Sequence, residues 1–282
     1  PLLTSFYYSF TSFNPVKPPE WIGLENFQYI FQDPLVFKSL RNTLFMAFVS
    51  TPINLFIAML LASLLNSKFK GRGVARTIFF MPSIIPMVAA TMVWIWMFDP
   101  TYGYINRVLE MIGINGPSWL VNPAYTKWAL VLMGTWCTGT TMLICLAALQ
   151  DVPNSYYEAA EIDGASELKT FWKIMVPLSV PVNVTVGLFT GLAYWNDWIN
   201  ALYYVDDPVY YGIQNFLVRM MNNIQFLSSG NAAAMVGSGM ASLPSTGIRM
   251  ALAVVGVLPI VVIYPFLQKY LTKGVIMGAV KG

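Results

Sequence analysis

Long apolar runs, each about as long as a bilayer's hydrocarbon core is thick, constrain this chain more than any other feature of its sequence. A helix needs roughly 18 to 20 apolar residues to cross a membrane. Only helices or closed barrels can cross, because every backbone polar group must be satisfied internally. The runs are continuous and do not alternate polar with apolar residues, which favours helices. They predict five complete transmembrane helices, at about residues 42–65, 77–98, 128–149, 178–204 and 250–271.

The opening stretch, PLLTSFYYSFTSFNP, is apolar and aromatic but too short to span a bilayer. It lacks the basic segment and small-residue cleavage site of a signal peptide. We interpret it as the outer end of a truncated first helix. The predicted fold class is therefore an all-α membrane protein, a polytopic helical bundle of five complete helices and a truncated one, with residues 1–282 forming one transmembrane domain.

Composition excludes several classes of function. Hydrophobic residues make up 56% of the chain and charged residues 10%, whereas about a quarter of the residues in a soluble domain are charged. The chain has no histidine, and therefore lacks the usual metal ligand and general base. Its net charge of +3 is spread without a basic run. We expect no enzymatic activity, metal site, cofactor or nucleic-acid partner.

One polar, charged segment, YYEAAEIDGASELKTFWKIMVPL, separates two predicted spans within a loop over 151–177. Ser155 and Glu158 have the spacing of a capping box at a helix N-terminus. Gly164 stands where a helix needs a left-handed C-cap. Ser166 is a suitable cap for a second helix, which Pro177 is expected to end. The pattern predicts helix, sharp turn, helix, which could be either a docking surface for another protein or a simple capped turn.

The same segment resembles the EAA signature of the membrane subunits of bacterial ABC importers. The match comprises Glu158-Ala159-Ala160, Gly164, Ile174 and Pro177 at the signature's spacing, with Val176 where leucine is usual. The resemblance implies a coupling helix that docks into a separate ATPase subunit. The residues that it assigns to ATPase coupling are Glu158, Ala159, Ala160, Asp163, Gly164, Ile174 and Pro177. No phosphate-binding P-loop sequence occurs in the chain, so the ATPase has to be a partner.

Further segments resemble the carbohydrate-uptake permeases of the maltose, multiple-sugar and glycerol-3-phosphate type. These segments include MPSIIPMVAATMVWIWMFDPTYGYINRVLEMIGINGPSWL, YWNDWINALYYV and YPFLQKYLTKGVIMGAVKG. The resemblance implies import of a sugar or oligosaccharide across a bacterial plasma (inner) membrane. It also implies three partners: an ABC ATPase dimer, a second permease subunit and an extracellular or periplasmic solute-binding protein. An ion-coupled secondary transporter of small polar solutes is the alternative, although such proteins carry ion-binding groups near mid-membrane.

The first of these segments resembles the first permease subunit of such systems, and the other two resemble the second subunit. Both kinds of subunit carry the EAA signature. A junction between the two subunit types within this signature would therefore be almost invisible in the sequence. We hypothesise a junction of two subunit types within 156–178. The alternative is a natural permease that mixes features of both.

Four polar and aromatic residues lie together inside the fourth predicted span: Tyr194, Trp195, Asn196 and Asp197. An ionisable residue inside a span is a functional hypothesis by default, and aromatic faces beside amides and carboxylates suit sugar hydroxyls. An aromatic belt at the outer interface explains the same residues without any substrate. Both interpretations remain open at the sequence level.

Lysine and arginine in short loops indicate the orientation of the chain. Nine of the sixteen fall on the side of the 151–177 loop: Lys68, Lys70, Arg72, Arg76, Lys169, Lys173, Lys269, Lys273 and Lys281. These nine occupy shorter loops than the remaining seven. We therefore expect a multi-pass protein with the 151–177 loop and the C-terminus in the cytoplasm.

Overall fold

The described part of the chain is almost entirely helical. The structure, a computed structural model, describes residues 2–13, 18–67, 69–228 and 246–279. Its helices are α1 (Leu2–Tyr8), α2 (Glu25–Gln32), α3 (Pro34–Asn66), α4 (Arg72–Phe80), α5 (Met87–Met97), α6 (Tyr104–Met111), α7 (Pro123–Trp136), α8 (Gly139–Gln150), α9 (Asn154–Ile162), α10 (Glu167–Trp195), α11 (Ile199–Tyr204), α12 (Ile213–Ser228) and α13 (Thr246–Ala279).

Three helical stretches are long and apolar enough to cross a membrane unaided: α3, α10 and Thr246–Pro265 of α13. Two further spans are bent pairs. The first pair comprises α4 with its 3-10 extension Met81–Ile84 and α5, and the second comprises α7 and α8. Counting each pair once gives five spans within the described ranges, which agrees with the five predicted complete helices.

The first bent pair turns by 97°. Pro82 and Pro86 lie at the break, where each lacks the N–H that a continuing helix would use. The bend therefore lies where two prolines interrupt the helical hydrogen bonding. The second pair turns by 51° between Trp136 and Gly139, which the sequence analysis did not predict.

Two of the prolines inside continuous helices closely follow a wider π turn. The π turns are Met46–Ser50 and Phe171–Met175, and they are followed after one residue by Pro52 and Pro177. In the second turn, the Val176 N–H donates to the carbonyl of Phe171, five residues earlier. Such a turn changes the helical register and relieves the clash that proline makes with the preceding turn. The prediction that Pro177 ends its helix is wrong, since α10 continues to Trp195.

The fourth span is shorter than predicted, because α10 ends at Trp195 and a new helix starts at Ile199. The Asp197 carboxylate accepts a hydrogen bond from the Asn200 N–H at 3.0 Å and another from the Asn200 side chain. Such local bonds offer the backbone an alternative to a continuing helix. Asp197 therefore lies beyond the helix and not inside it.

The described chain divides into two compact units, one containing Pro1–Leu44 and Trp195–Pro265 and the other Phe45–Tyr194 and Phe266–Gly282. The core of the second unit is made where α3 packs against α8. Its buried residues alternate small and large side chains, among them Ala58, Ala62, Leu65, Met142 and Leu149. Small residues at such contacts let helix backbones approach closely.

A buried amide holds α3 against α7 in this unit. The Asn54 Nδ2 donates to the Gly134 carbonyl at 3.1 Å and to Thr138 Oγ1 at 3.0 Å. We predict that Asn54→Ala lowers the free energy of unfolding by about 1 to 2 kcal/mol, because the Gly134 carbonyl loses this donor. Thermal unfolding in nanodiscs measures the effect, with the exposed Ser67→Ala as control. An unchanged Tm for Asn54→Ala would contradict the prediction.

Candidate functional site

The polar loop before α10 folds as the predicted helix, sharp turn and helix. Gly164 has φ +65°, in the left-handed region that favours glycine. The N–H of Asp163 donates to the carbonyl of Ala159 at 3.0 Å, and the N–H of Ala165 donates to that of Ala160 at 2.9 Å. The second bond spans five residues, as in a Schellman motif. Gly164 is thus confirmed as the left-handed C-cap of α9.

The two predicted serine caps have different outcomes. Ser166 is confirmed, because its side chain accepts a hydrogen bond from the N–H of Lys169 and caps α10. Ser155 is not the cap of α9, because the helix already begins at Asn154. The N–H of Tyr156 donates to the carbonyl of Pro153 at 3.1 Å. Pro153 stands directly before the helix, and its backbone carbonyl is the acceptor of this bond.

The residues assigned to coupling differ in exposure. Glu158, Ala159, Asp163 and Gly164 are exposed. Ala160 is 6% exposed and packs within the subunit. A surface that another protein could contact is therefore present on α9 and its cap, on the side away from Ala160.

Ile174 and Pro177 lie apart from α9 in sequence. Ile174 is half-buried in the second π turn, and Pro177 is exposed in the turn of α10 that follows. The structure therefore places the EAA residues on two different helices of one helix-turn-helix.

Tyr157 connects α9 to the preceding span. Its hydroxyl donates to the carbonyl of Leu149 at 3.3 Å. Burial raises the pKa of Tyr157. The Tyr157 hydroxyl is the donor in the bond to Leu149.

The sequence analysis missed an apolar surface on this loop. Ile162 is 86% exposed and Leu168 is 73% exposed, and Tyr156 and Trp172 are more than half exposed. Large exposed apolar side chains among charged ones are typical of an interaction surface. The signal was available in the sequence, as four large apolar residues in the most polar segment of the chain.

The residues at the end of α10 have separate surroundings. A Cβ added to Gly134 would lie 2.5 Å from the Tyr194 hydroxyl, so this glycine leaves room for the tyrosine. The Trp195 indole is buried and donates to the carbonyl of Gly256 at 3.0 Å. Asn196 is exposed.

Asp197 is half-buried. Its carboxylate accepts one hydrogen bond from the backbone N–H of Asn200 and one from the Asn200 side-chain amide. Burial raises the pKa of Asp197, and the hydrogen bonds from Asn200 oppose that change. These bonds give the carboxylate a local structural role at the start of α11.

These features define a class of protein: a polytopic helical membrane protein with broken spans, carrying a helix-turn-helix whose surface is partly apolar. The family model of the "Binding-protein-dependent transport system inner membrane component" matches residues 54–277. The chain belongs to this family. It is therefore a component of an inner-membrane transport system and not an enzyme.

Two curated relatives from Bacillus subtilis strain 168 illustrate the similarity. The chain is 38% identical over 185 residues to the "Probable ABC transporter permease protein YesP", covering 64% of this chain and 60% of that protein. It is 31% identical over 266 residues to the "Polygalacturonan/rhamnogalacturonan transport system permease protein YtcP", covering 94% and 84%.

Among solved structures, the chain is similar to the "Crystal structure of a bacterial ABC transporter involved in the import of the acidic polysaccharide alginate". The TM-score is 0.74 with 20% identity, over 96% of this chain and 89% of that one. At this identity the match supports the fold alone. The chain is therefore similar in fold to that transporter chain.

Proposed function

We propose that this chain is the membrane permease subunit of an ATP-binding-cassette importer for a sugar or oligosaccharide. The observation that carries the proposal is the loop at 151–177, in which the EAA residues form a capped helix with an exposed surface. Family membership supports a transport role. The saccharide named for YtcP supports a carbohydrate as the solute.

In this proposal α9 and its cap are the coupling element. Glu158, Ala159, Asp163 and Gly164 contact a cleft of the ATPase. Ala160 and Ile174, which are buried and half-buried, hold the two helices that carry the contact, and the exposed Pro177 adds to that contact from the second helix. Closure of the ATPase dimer moves the loop, and the continuous helix α10 passes that movement into the membrane. The ATPase can shift the permease between two states only through a difference in affinity for them.

The remaining partners and the orientation follow from the same proposal. A second permease subunit completes the translocation path, and an extracellular or periplasmic solute-binding protein delivers the sugar. The coupling loop and the C-terminus lie in the cytoplasm, which the lysines and arginines of the short loops support. The whole chain acts as one permease domain.

The end of α10 contributes to the solute pathway in this proposal. Tyr194 provides an aromatic face with a hydroxyl, and Asn196 provides an exposed amide, both suited to sugar hydroxyls. Trp195 and Asp197 support them through the bonds to Gly256 and Asn200.

We also propose the junction of two subunit types within 156–178. The segments that resemble two different permease subunits support it. Sequencing the coding DNA across this region tests the junction, and one uninterrupted native gene would refute it.

The coupling proposal predicts the effect of filling the exposed surface of α9. We expect Ala159→Trp to weaken ATPase retention about fivefold, because a large side chain at the contact costs about 1 kcal/mol or more. Co-purification of the ATPase with the permease measures the effect. Ala124→Trp is the matched control, since Ala124 is also exposed but lies in the first turn of α7.

The alternative, ion-coupled transport, predicts different results. In that case no ATPase would co-purify with the native chain, and a proton or sodium gradient alone would drive uptake. Uptake that tracks ATP in the reconstituted complex would support the ABC importer.

A further inference from the structure

The segment after α10 lies at the end of that helix farthest from the coupling loop. α10 has 29 residues, or about 44 Å at 1.5 Å per residue, which exceeds the roughly 30 Å hydrocarbon core. Asn215 of α12 is held at the far end, since its Nδ2 donates to the carbonyl of Trp198 at 2.7 Å. If the coupling loop is cytoplasmic, this end faces the side from which an imported solute arrives.

Arg219 of α12 is held by two buried residues at this end. Its Nε donates to Asn215 Oδ1 at 2.9 Å, and Asn215 is 2% exposed. Its guanidinium carbon lies 4.4 Å from the centroid of the Tyr211 ring. The buried Tyr211 is itself fixed, because its hydroxyl donates to the carbonyl of Asp206 at 3.1 Å. The guanidinium therefore has a preset orientation.

The two terminal nitrogens of the Arg219 guanidinium are the part of the side chain that these contacts leave available. The Asn215 bond takes Nε, and Tyr211 covers one face, whereas the two terminal nitrogens keep up to four N–H donors. Among residues 2–13, 18–67, 69–228 and 246–279, no carboxylate forms a salt bridge with Arg219. A half-buried cation without a counter-ion is costly. Its fork geometry fits a carboxylate through two parallel hydrogen bonds.

We propose that Arg219 binds the carboxylate of an acidic saccharide, such as a uronic acid unit, on the outer side of the permease. This inference rests on the proposed function, since it takes sugar import as given. A charged pair of this kind is about twice as strong as a neutral hydrogen bond to a sugar hydroxyl. Arg219 therefore selects acidic over neutral saccharides at a point that the solute reaches before the membrane core.

Chemical modification of the native protein gives a test that needs no variant. The complex, purified with its ATPase and second permease in nanodiscs, is treated with phenylglyoxal, and the modification of each arginine is followed by mass spectrometry. We expect trigalacturonate to slow the modification of Arg219 about tenfold. Its methyl ester, which has no charge, gives no protection. Arg107, which is exposed on α6, reacts equally in all samples.

Two results of that experiment would overturn the inference. Equal protection by trigalacturonate and its methyl ester would mean that the carboxylate is not recognised. An Arg219 that is unreactive before any sugar is added would mean that a partner carboxylate or a lipid headgroup already occupies it.

Uptake into proteoliposomes separates this inference from the proposed function. We expect Arg219→Gln to lower ATP-driven uptake of trigalacturonate about tenfold, Arg219→Lys to retain part of it, and Arg107→Gln to leave it unchanged. A complex that imports only neutral sugars, or an Arg219→Gln variant with normal uptake, overturns the inference alone. A complex that imports no sugar with ATP overturns the proposed function.

Discussion

Gly164→Val is expected to reduce ATP-driven uptake by about thirtyfold to a hundredfold while leaving the amount of protein in the membrane unchanged. Gly164 has φ +65°, and a β-branched residue in that conformation costs roughly 2 kcal/mol or more. Because each 1.4 kcal/mol changes a population about tenfold, the docking form of the loop becomes a minor one. Uptake by the reconstituted complex measures the effect.

Gly113→Val is the matched control for backbone strain. Gly113 follows α6 with φ +83°, and a Cβ at either glycine would meet nothing within 4 Å. The two variants therefore have the same kind of strain in different loops. Comparable losses of uptake in both would contradict a specific role for the coupling loop.

Gly164→Asn distinguishes two reasons for needing glycine at this position: the left-handed backbone of the turn, and the space that the docked ATPase needs beside it. Asparagine tolerates the left-handed conformation better than other residues with side chains, so this variant keeps the turn and adds a side chain. Normal uptake would mean that the turn alone matters. Uptake as low as that of Gly164→Val would mean that the side chain blocks docking.

The coupling loop was predictable in most of its details because its signals are local. A glycine at the end of a helix and a serine before the next one have few alternative uses, and both Gly164 and Ser166 have the predicted roles. The prediction for Ser155 was wrong because α9 begins one residue earlier, at Asn154. Pro177 failed because a π turn makes room for it, and that turn depends on longer-range packing as well as on local sequence.

The spans were predictable in number but less so in shape. Hydropathy reports which residues avoid water, so it located the apolar runs that became α3, α10 and the two bent pairs. It cannot report where a helix breaks. The end of α10 depends on the hydrogen bonds between Asp197 and Asn200, and the break before α8 occurs where Gly139 approaches residues distant in sequence.

Because of that approach, we expect Gly139→Ala to lower the stability of the protein strongly. A Cβ at this position would lie 2.8 Å from the Phe79 carbonyl oxygen, 2.8 Å from the Phe80 Cα and 2.6 Å from Ser83 Oγ. Two of these three atoms belong to the backbone of α4 and cannot move by a change of rotamer. Forcing backbone shifts in a packed core costs about 1 to 3 kcal/mol, and we expect the upper end of that range.

Two other glycines of the same compact unit give a graded comparison. A Cβ on Gly187 would lie 2.9 Å from Leu55 Cδ1, a flexible side-chain end, and one on Gly191 would lie 3.8 Å from Thr51 Oγ1, an ordinary contact. Gly191→Ala should be neutral or stabilising by up to about 1 kcal/mol, because alanine favours the helix. The change in stability for Gly187→Ala should lie between those for Gly139→Ala and Gly191→Ala. Thermal unfolding of the three variants in nanodiscs tests this order. A Tm for Gly139→Ala equal to that of Gly191→Ala would mean that α4 and α8 can separate at little cost, and that the close approach does not hold the two bent spans together.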